Sequence, residues 1–584
     1  MTSTAVRISC VVLTMSVEIA PAGLTAGGFS RDVKPSDTNV TPADVEVITP
    51  YVFDGNLSDV PVAIPWQLGD PIKEIPRRGR PRSIQPPPEP RTDPLLATQQ
   101  GVESRTFTTP LLDFPGMGFT GVFPPDPVGD VGPNHYVQMI NSVSGALVAV
   151  FDKSGAPIGG PFQLSSMGSG ACSGGWGDPI VLHDHLADRW LLSEIGSSGN
   201  TLCVYVSQTP DPLGSYFNYA FTTPSFPDYP KYAVWPDAYY VTSNELNPAQ
   251  YALERSAMLA GSPAMAQRFT APNLSGFGFQ ALTPGELDGP EPPPAGAPGY
   301  FVRHRDTEAH GPGGFPSEDF LEIWEMSVDF VTPGNSTFTQ TANIAITDFD
   351  SGLCGFFSLS CFPQAGGPAL EPMREVVMWR FQYRNFGSHE SLVGNFVTDV
   401  DGTDHGGIRW FELRKAGADP WSLHQEGTYA PDAQHRWVGS IAMDGAGNIA
   451  LGYSLSSSSI FPGIHYTGRL VSDPPGTLPE AETALVDGTG PNPSNRWGNY
   501  SSMNIDPADD CSFWYTNAFG SSNWSTHVGV FRFDSCGTPD FTLSAVPDVF
   551  DVCAGSPAVY SIIVGSVGGY TLPVTLSASG NPSD

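Results

Sequence analysis

The sequence predicts an all-β protein, a β-propeller of about seven four-stranded blades followed by the start of an immunoglobulin-like β-sandwich. Three observations predict it. Gly (64) and Pro (58) are abundant beside 11% aromatic residues, a composition of many short strands and tight turns rather than of a disordered chain. A strand–turn–strand unit recurs from about residue 105 onward. It returns every roughly 40–60 residues, the length that four strands and their turns occupy.

The units run in order. Asp126 to Asp130 precedes His135 to Ile140, and Asp178 to Asp184 precedes Arg189 to Glu194. Lys231 to Asp237 leads to Ala238 to Ser243, Ser440 to Asp444 to Asn448 to Tyr453, and Ser501 to Asp506 to Cys511 to Tyr515. Each is a short strand, a turn carrying Asp, and a second strand with alternating apolar residues. Asp suits the turn because its carboxylate accepts from backbone amides two residues on. The long gap between Asp237 and Asp444 leaves room for two looser units, one near Pro294 to Arg303 and one from Val376 to Val397. Ser104 to Pro110 is expected to complete the last blade and close the ring, leaving no open edge.

Four segments follow: a signal peptide over 1–27, a Pro-rich linker or pro-segment over 28–104, the propeller over 105–536 and a partial immunoglobulin-like domain over 537–584. The first carries Arg7, the apolar run Ile8 to Val17 and small residues at Ala20, Ala22 and Ala26, the outline of an export signal. The second holds three consecutive prolines at 86–88 and the basic patch Arg77, Arg78, Arg80, Arg82; it reads as a solvated linker, or as a pro-segment cut at that patch. The last contains three alternating runs, Asp540 to Val546, Ala558 to Val564 and Leu572 to Ser577, fewer than the seven or so strands of a whole sandwich.

Net charge is −33, with pI near 4.4. That excludes a nucleic-acid or anionic-membrane partner, which needs clustered Lys and Arg. No apolar run reaches the ~20 residues of a membrane span. Of the eight cysteines, six fall into neighbouring pairs, Cys172 with Cys203, Cys354 with Cys361 and Cys511 with Cys536. No CxxC or zinc spacing occurs, so local disulfides in an oxidising, extracellular compartment are expected. A monomer is expected.

The Asp178-Pro…Asp184…Trp190 pattern and the repeated Arg-Trp openings resemble secreted bacterial propellers of the sialidase and arabinanase type, over roughly 105–536. The Ser-x-Asp-x-Gly-x-Thr-Trp box of many sialidases is absent. Carried onto this chain, the arabinanase likeness implies Asp126 as general base, Asp178 as orienting acid and Glu245 as proton donor. A bland reading stands beside it, in which Asp126 and Asp178 are turn residues that cap backbone amides.

In a propeller, loops entering the innermost strands and loops after the second strands share one face. That face would gather Asp126, Asp178, Lys231, Trp176, Arg436, Trp437, Arg496, Trp497, Glu245, Arg303 and His304. Carboxylates, aromatic platforms and guanidinium groups are the mixture a sugar site uses. A lyase reading would recruit His183, His185, His304, His310, Tyr239 and Arg303. Asp399, Asp401 and Asp404 alternate on a Gly-bearing loop, which suits a structural calcium or a plain hairpin turn; no other cofactor is expected. The function expected first is binding of an extracellular polymer, a carbohydrate above all, on one propeller face. A glycoside hydrolase or polysaccharide lyase comes second, and a surface adhesion or protein-interaction scaffold third, since the fold does not choose among them.

Overall fold

The computed structural model describes residues 39–76, 91–101, 103–274, 279–309, 319–356, 358–537, 540–546 and 561–567. The expected signal peptide, the basic patch at Arg77 to Arg82, Cys10 and Cys553 lie outside them. Val33–Phe533 forms one compact unit.

This unit is all-β and is built mainly from seven runs of four antiparallel strands, two of which, IV and V below, join into one sheet through the parallel pair Thr283–Asp288 and Phe381–Asn385. Sheet I holds Val128–Val131, His135–Ser142, Gly145–Asp152 and Pro157–Gln163. Sheet II spans Gly175–Asp184 to Tyr216–Thr222, and sheet III Asp228–Val234 to Ala264–Thr270. Sheet IV spans Thr283–Asp288 to Thr337–Ala345, and sheet V Phe381–Asn385 to Ser422–Tyr429. These two are the looser units expected between Asp237 and Asp444. Sheet VI spans His435–Met443 to Thr483–Val486. Sheet VII takes Ser502–Ile505, Phe513–Gly520 and Trp524–Phe531 from late in the chain and its fourth strand, Leu112–Gly118, from early in it. The first strands contact one another in sequence, I to VII, and the seventh contacts the first.

Side chains of neighbouring sheets interlock. Trp235 and Tyr240 of sheet III pack with Phe301, Trp324 and Phe338 of sheet IV. Val393 and Trp410 of sheet V meet Ile441 and Tyr453 of sheet VI, and Tyr466 of sheet VI stacks on Phe531 of sheet VII at 4.0 Å. With both faces covered, a strand such as Arg189–Gly196 is buried at every position after its first. Its side chains therefore do not follow the half-polar alternation of a one-faced sheet.

Several sequence expectations shift. Two of the turn aspartates behave as expected, Asp444 accepting from the Ala446 amide and Asp506 from the Ala508 amide, whereas Asp130 accepts from the Val131 and His183 amides and Asp184 from the Ala187 amide. The closing strand is Leu112–Gly118 rather than Ser104 to Pro110, because Leu112 to Phe114 are the residues in register with Val528 to Val530. Within the segment expected as a solvated linker or pro-segment, residues 39–76 form a belt. Asn39–Val40 joins sheet IV, Asp44–Ile48 joins sheet III and Tyr51–Phe53 joins sheet II, each as an outermost strand. Those strands occupy edges that would otherwise present unpaired backbone. Further on, Asp93 sits against Arg409 of sheet V at 2.7 Å, and Arg105 pairs with Glu480 at 2.7 Å.

Cys172–Cys203 and Cys354–Cys361 are disulfides, and Cys511 and Cys536 are also disulfide-bonded. Among the described residues no helix is long and apolar enough to cross a membrane. In the second unit, Asp540–Val546 and Ser561–Val567 form an antiparallel hairpin.

Candidate functional site

The starts of several first strands come together and form a mouth. At several entries one residue sits in the left-handed region: Asp126 (φ 47°), Asp178 (φ 52°), Tyr229 (φ 53°), Val438 (φ 50°) and Asn499 (φ 72°), and at Asp178, Tyr229 and Val438 this residue lies in a β-bulge. For a β-branched residue such as Val438 this conformation is strained. It persists because the bulge repeats and its neighbours hold it. The position equivalent to Asp126 and Asp178 in sheet III is thus Tyr229, not Lys231.

Hydrogen bonds tie these entries into a ring. The Asp126 amide donates to Gly498 O (3.2 Å), and Asn141 Nδ2 donates to Asp126 Oδ2 (2.7 Å). Asn141 Oδ1 accepts from the Asp178 amide (2.9 Å), and Asp178 Oδ2 accepts from the Tyr229 amide (3.1 Å). Tyr229 Oη then donates to Asn499 O (2.6 Å). Gly177 must be glycine here, since a Cβ would lie 2.3 Å from Asn141 Oδ1. Burial, and then the Asp178 carboxyl, push Asp126 well above the usual carboxylate range. Glu371 accepts from the Trp497 amide (3.0 Å) and pairs with Arg496 at 3.2 Å. Lys231 is fully buried, its Nζ 3.9 Å from the Tyr229 ring centre. Burial pulls its ammonium down to about 7.

The mouth therefore brings together Asp126, Asp178, Lys231 and Arg496, and not the rest of the expected set. Glu245 accepts from Tyr251 Oη (2.5 Å) and Arg268 Nη2 (2.8 Å) within sheet III. Arg303 is buried in a pair with Glu322, and His304 stacks on Phe396 at 4.7 Å between sheets IV and V. Arg436 is locked to Glu482 at 2.6 Å. Trp437 and Trp497 are fully buried in the core, and half-buried Trp176 donates to Ser197 O. Sequence reasoning missed Asn141, Tyr229, Glu371 and Asn499. The Gly177-Asp178 step, a glycine just before a repeated turn acid, was the one local signal available.

Asp399, Asp401 and Asp404 do not converge on a common point. Asp399 accepts from the Asp401, Gly402 and Asp404 amides of its own turn, and Asp404 accepts from the Cys354 amide. Among the described residues, the acids whose ligand atoms do lie within 4.8 Å of one another are Asp306, Glu308 and Asp319. Burial and the Asp306 charge push Asp319 up to about 8.

At the opposite end the first strands finish around a recess of about 500 Å³, lined by Asp130, His183, His185, Asp188, Asp288 and Asp510 together with apolar residues. Arg380 lies buried nearby, 3.3 Å from Glu286, 3.7 Å from Asp288 and 3.8 Å from Asp130. His183 Nε2 is 3.0 Å from Asp188 Oδ1. His185 Nε2 makes no hydrogen bond, and burial pulls its imidazole down to about 4, so it is neutral in ordinary solution. The recess offers carboxylate acceptors and an uncharged imidazole, groups that pair with hydroxyls.

No protein-family model and no curated protein matches the chain. Solved structures similar to it include a polysaccharide lyase, an ulvan lyase, at 11% identity over 74% of this chain and 96% of that one (TM-score 0.37). An α-L-arabinofuranosidase of Podospora anserina in complex with cellotriose matches at 16% identity over 56% and 96% (TM-score 0.25). Drosophila plexin A in complex with semaphorin 1b matches at 9% identity over 74% and 88% (TM-score 0.34). At identities of 16% or less and TM-scores of 0.37 or less, none of them assigns a role to a residue of this chain.

Proposed function

We propose that the chain is an exported seven-bladed β-propeller that binds an extracellular polymer, a carbohydrate of uncharged sugars, without cutting it. The cyclic order of the seven first strands supports the propeller. The disulfides support an oxidising compartment, and the antiparallel pair Asp540–Val546 and Ser561–Val567 supports the start of an immunoglobulin-like module. The observation that carries the ligand class is the recess of about 500 Å³, a volume that suits a sugar unit or two. Its exposed acid Asp188 is placed to accept from hydroxyls, while the net charge of −33 repels uronates and sulfated glycans. Binding is favoured over cleavage because Asp126 and Asp178 are engaged in the hydrogen-bond ring of the mouth and Glu245 is held by Arg268. A hydrolase needs two carboxyls facing one bond across about 5–10 Å.

The test is a glycan array on the full chain, followed by titration of any hit with Asp188→Asn and His185→Ala. Neutral glycans should bind, and each variant should weaken binding at least tenfold without lowering the melting temperature. Binding confined to anionic glycans, or unchanged in both variants, overturns the reading.

A further inference from the structure

The belt carries one stretch that the sheets do not need. From Pro61 to Pro76 no residue is buried. Ile64 is 90% and Leu68 96% exposed, so this stretch gains little from apolar burial. Its hold is a series of contacts, among them a bridge from Val62 to Phe162 and the Lys73 ammonium, which donates to Val143 O (3.4 Å) and lies 5.3 Å from the Trp176 ring centre. Ala63 N donates to Pro161 O (2.8 Å), Lys73 N to Gly121 O (2.8 Å) and Ile75 N to Phe123 O (2.7 Å). Trp66 meets Phe119 edge-on at 4.9 Å, and Glu74 accepts from Ser494 Oγ (2.8 Å). A segment with few buried contacts and a two-residue ladder opens at low free energy.

The end of this stretch roofs the mouth. Ile75 and Pro76 line a pocket with Asp178, Glu371, Arg496 and Asn499, leaving about 20 Å³, enough for about one water. Polar atoms there are unspent. Among the described residues, Asn499 Oδ1 (6% exposed as a residue) and Arg496 Nη1 (9% exposed as a residue) have no hydrogen-bond partner. Buried groups of this kind cost stability unless something satisfies them.

We propose that Pro61–Pro76 is a displaceable strap, and that the mouth beneath it is a binding pocket for a small hydroxylated ligand that the chain closes with its own segment. Asn499 Oδ1 and the Glu371 carboxylate accept from such a ligand, and Arg496 donates to it. The pocket lies at the starts of the first strands and the recess at their ends, so it stands or falls independently of glycan binding there.

The probe is iodoacetamide. Met373 lines the pocket and is 1% exposed. Met373→Cys is placed in the full chain and in a full chain whose residues 61–76 are replaced by an equal length of Gly and Ser. Alkylation of the introduced thiol under native conditions is followed by peptide mapping, with intact Cys172–Cys203 and Cys354–Cys361 bridges as the folding control. The thiol should react at least tenfold faster without the strap. Equal rates, whether both fast or both slow, overturn the proposal. Should the replaced chain fail to fold, Glu74→Ala with Ile75→Gly in the otherwise intact chain decides. A severalfold faster reaction is expected, and no change overturns the proposal.

Discussion

At the mouth one residue holds both Asp126 and Asp178, since Asn141 donates to the Asp126 carboxylate and accepts from the Asp178 backbone amide. Asn141→Ala would take a partner from the buried Pro124 carbonyl and Asp126 carboxylate and from the part-buried Asp178 amide, each buried loss costing about 1–3 kcal/mol. Urea unfolding should show a loss of a few kcal/mol; an unchanged midpoint would deny the ring its structural role. Glu194 tests burial instead. Its Oε2 accepts from the Ala146 amide, yet desolvation raises the carboxyl to about 8 from 4.5. The folded chain then holds a proton that the unfolded chain has released between those values. This contribution to stability is full below pH 4.5, falls as pH rises and is gone above about pH 8. Glu194→Gln should flatten that part of the profile, and melting temperatures measured from pH 4.5 to 8 check it. The turn aspartates were legible because an Asx turn is local, whereas the mouth was not. Tyr229 and Glu371 reach Asp178 and Trp497 only through bulges and long-range closure that no window of sequence displays.

Among the elements, the seven meanders were readable from their recurring turns, but the belt was not. Asp44–Ile48 and Tyr51–Phe53 are too short and too exposed to stand out beside the prolines. They become strands because sheets III and II supply an edge to pair with. The chain beyond the belt also neutralises a buried charge. Arg409 is fully buried with its Nη2 on Asp93, while Nε donates to Thr428 Oγ1 (2.7 Å) and Nη1 to Thr347 O (2.7 Å). Removing one partner of a buried pair costs about 3–5 kcal/mol, while replacing both with apolar groups of similar volume costs far less. Asp93→Ala should therefore destabilise strongly, and Asp93→Leu with Arg409→Met should recover much of the loss. Chemical denaturation of the two variants separates these outcomes, and equal losses would show that the pair does not act as a unit.

Over the whole molecule, 60 acidic residues face 27 basic ones, and the placement of the pairs decides what that imbalance does. Many basic side chains are sequestered: Arg303, Arg380, Arg409 and Arg436 are each buried against carboxylates. The surplus acids are therefore left to repel one another across the exposed surface. Buried pairs are weakly screened by salt, whereas surface repulsion is strongly screened, with a Debye length of about 30 Å at 0.01 M and about 8 Å at 0.15 M. Raising sodium chloride between those concentrations should thus relieve the repulsion and leave the internal pairs intact. The melting temperature should rise by several degrees, most steeply at the low end, and then level. A fall with salt would mean that exposed ion pairs, such as those of Arg91 and Arg105, outweigh the repulsion of the acidic surface.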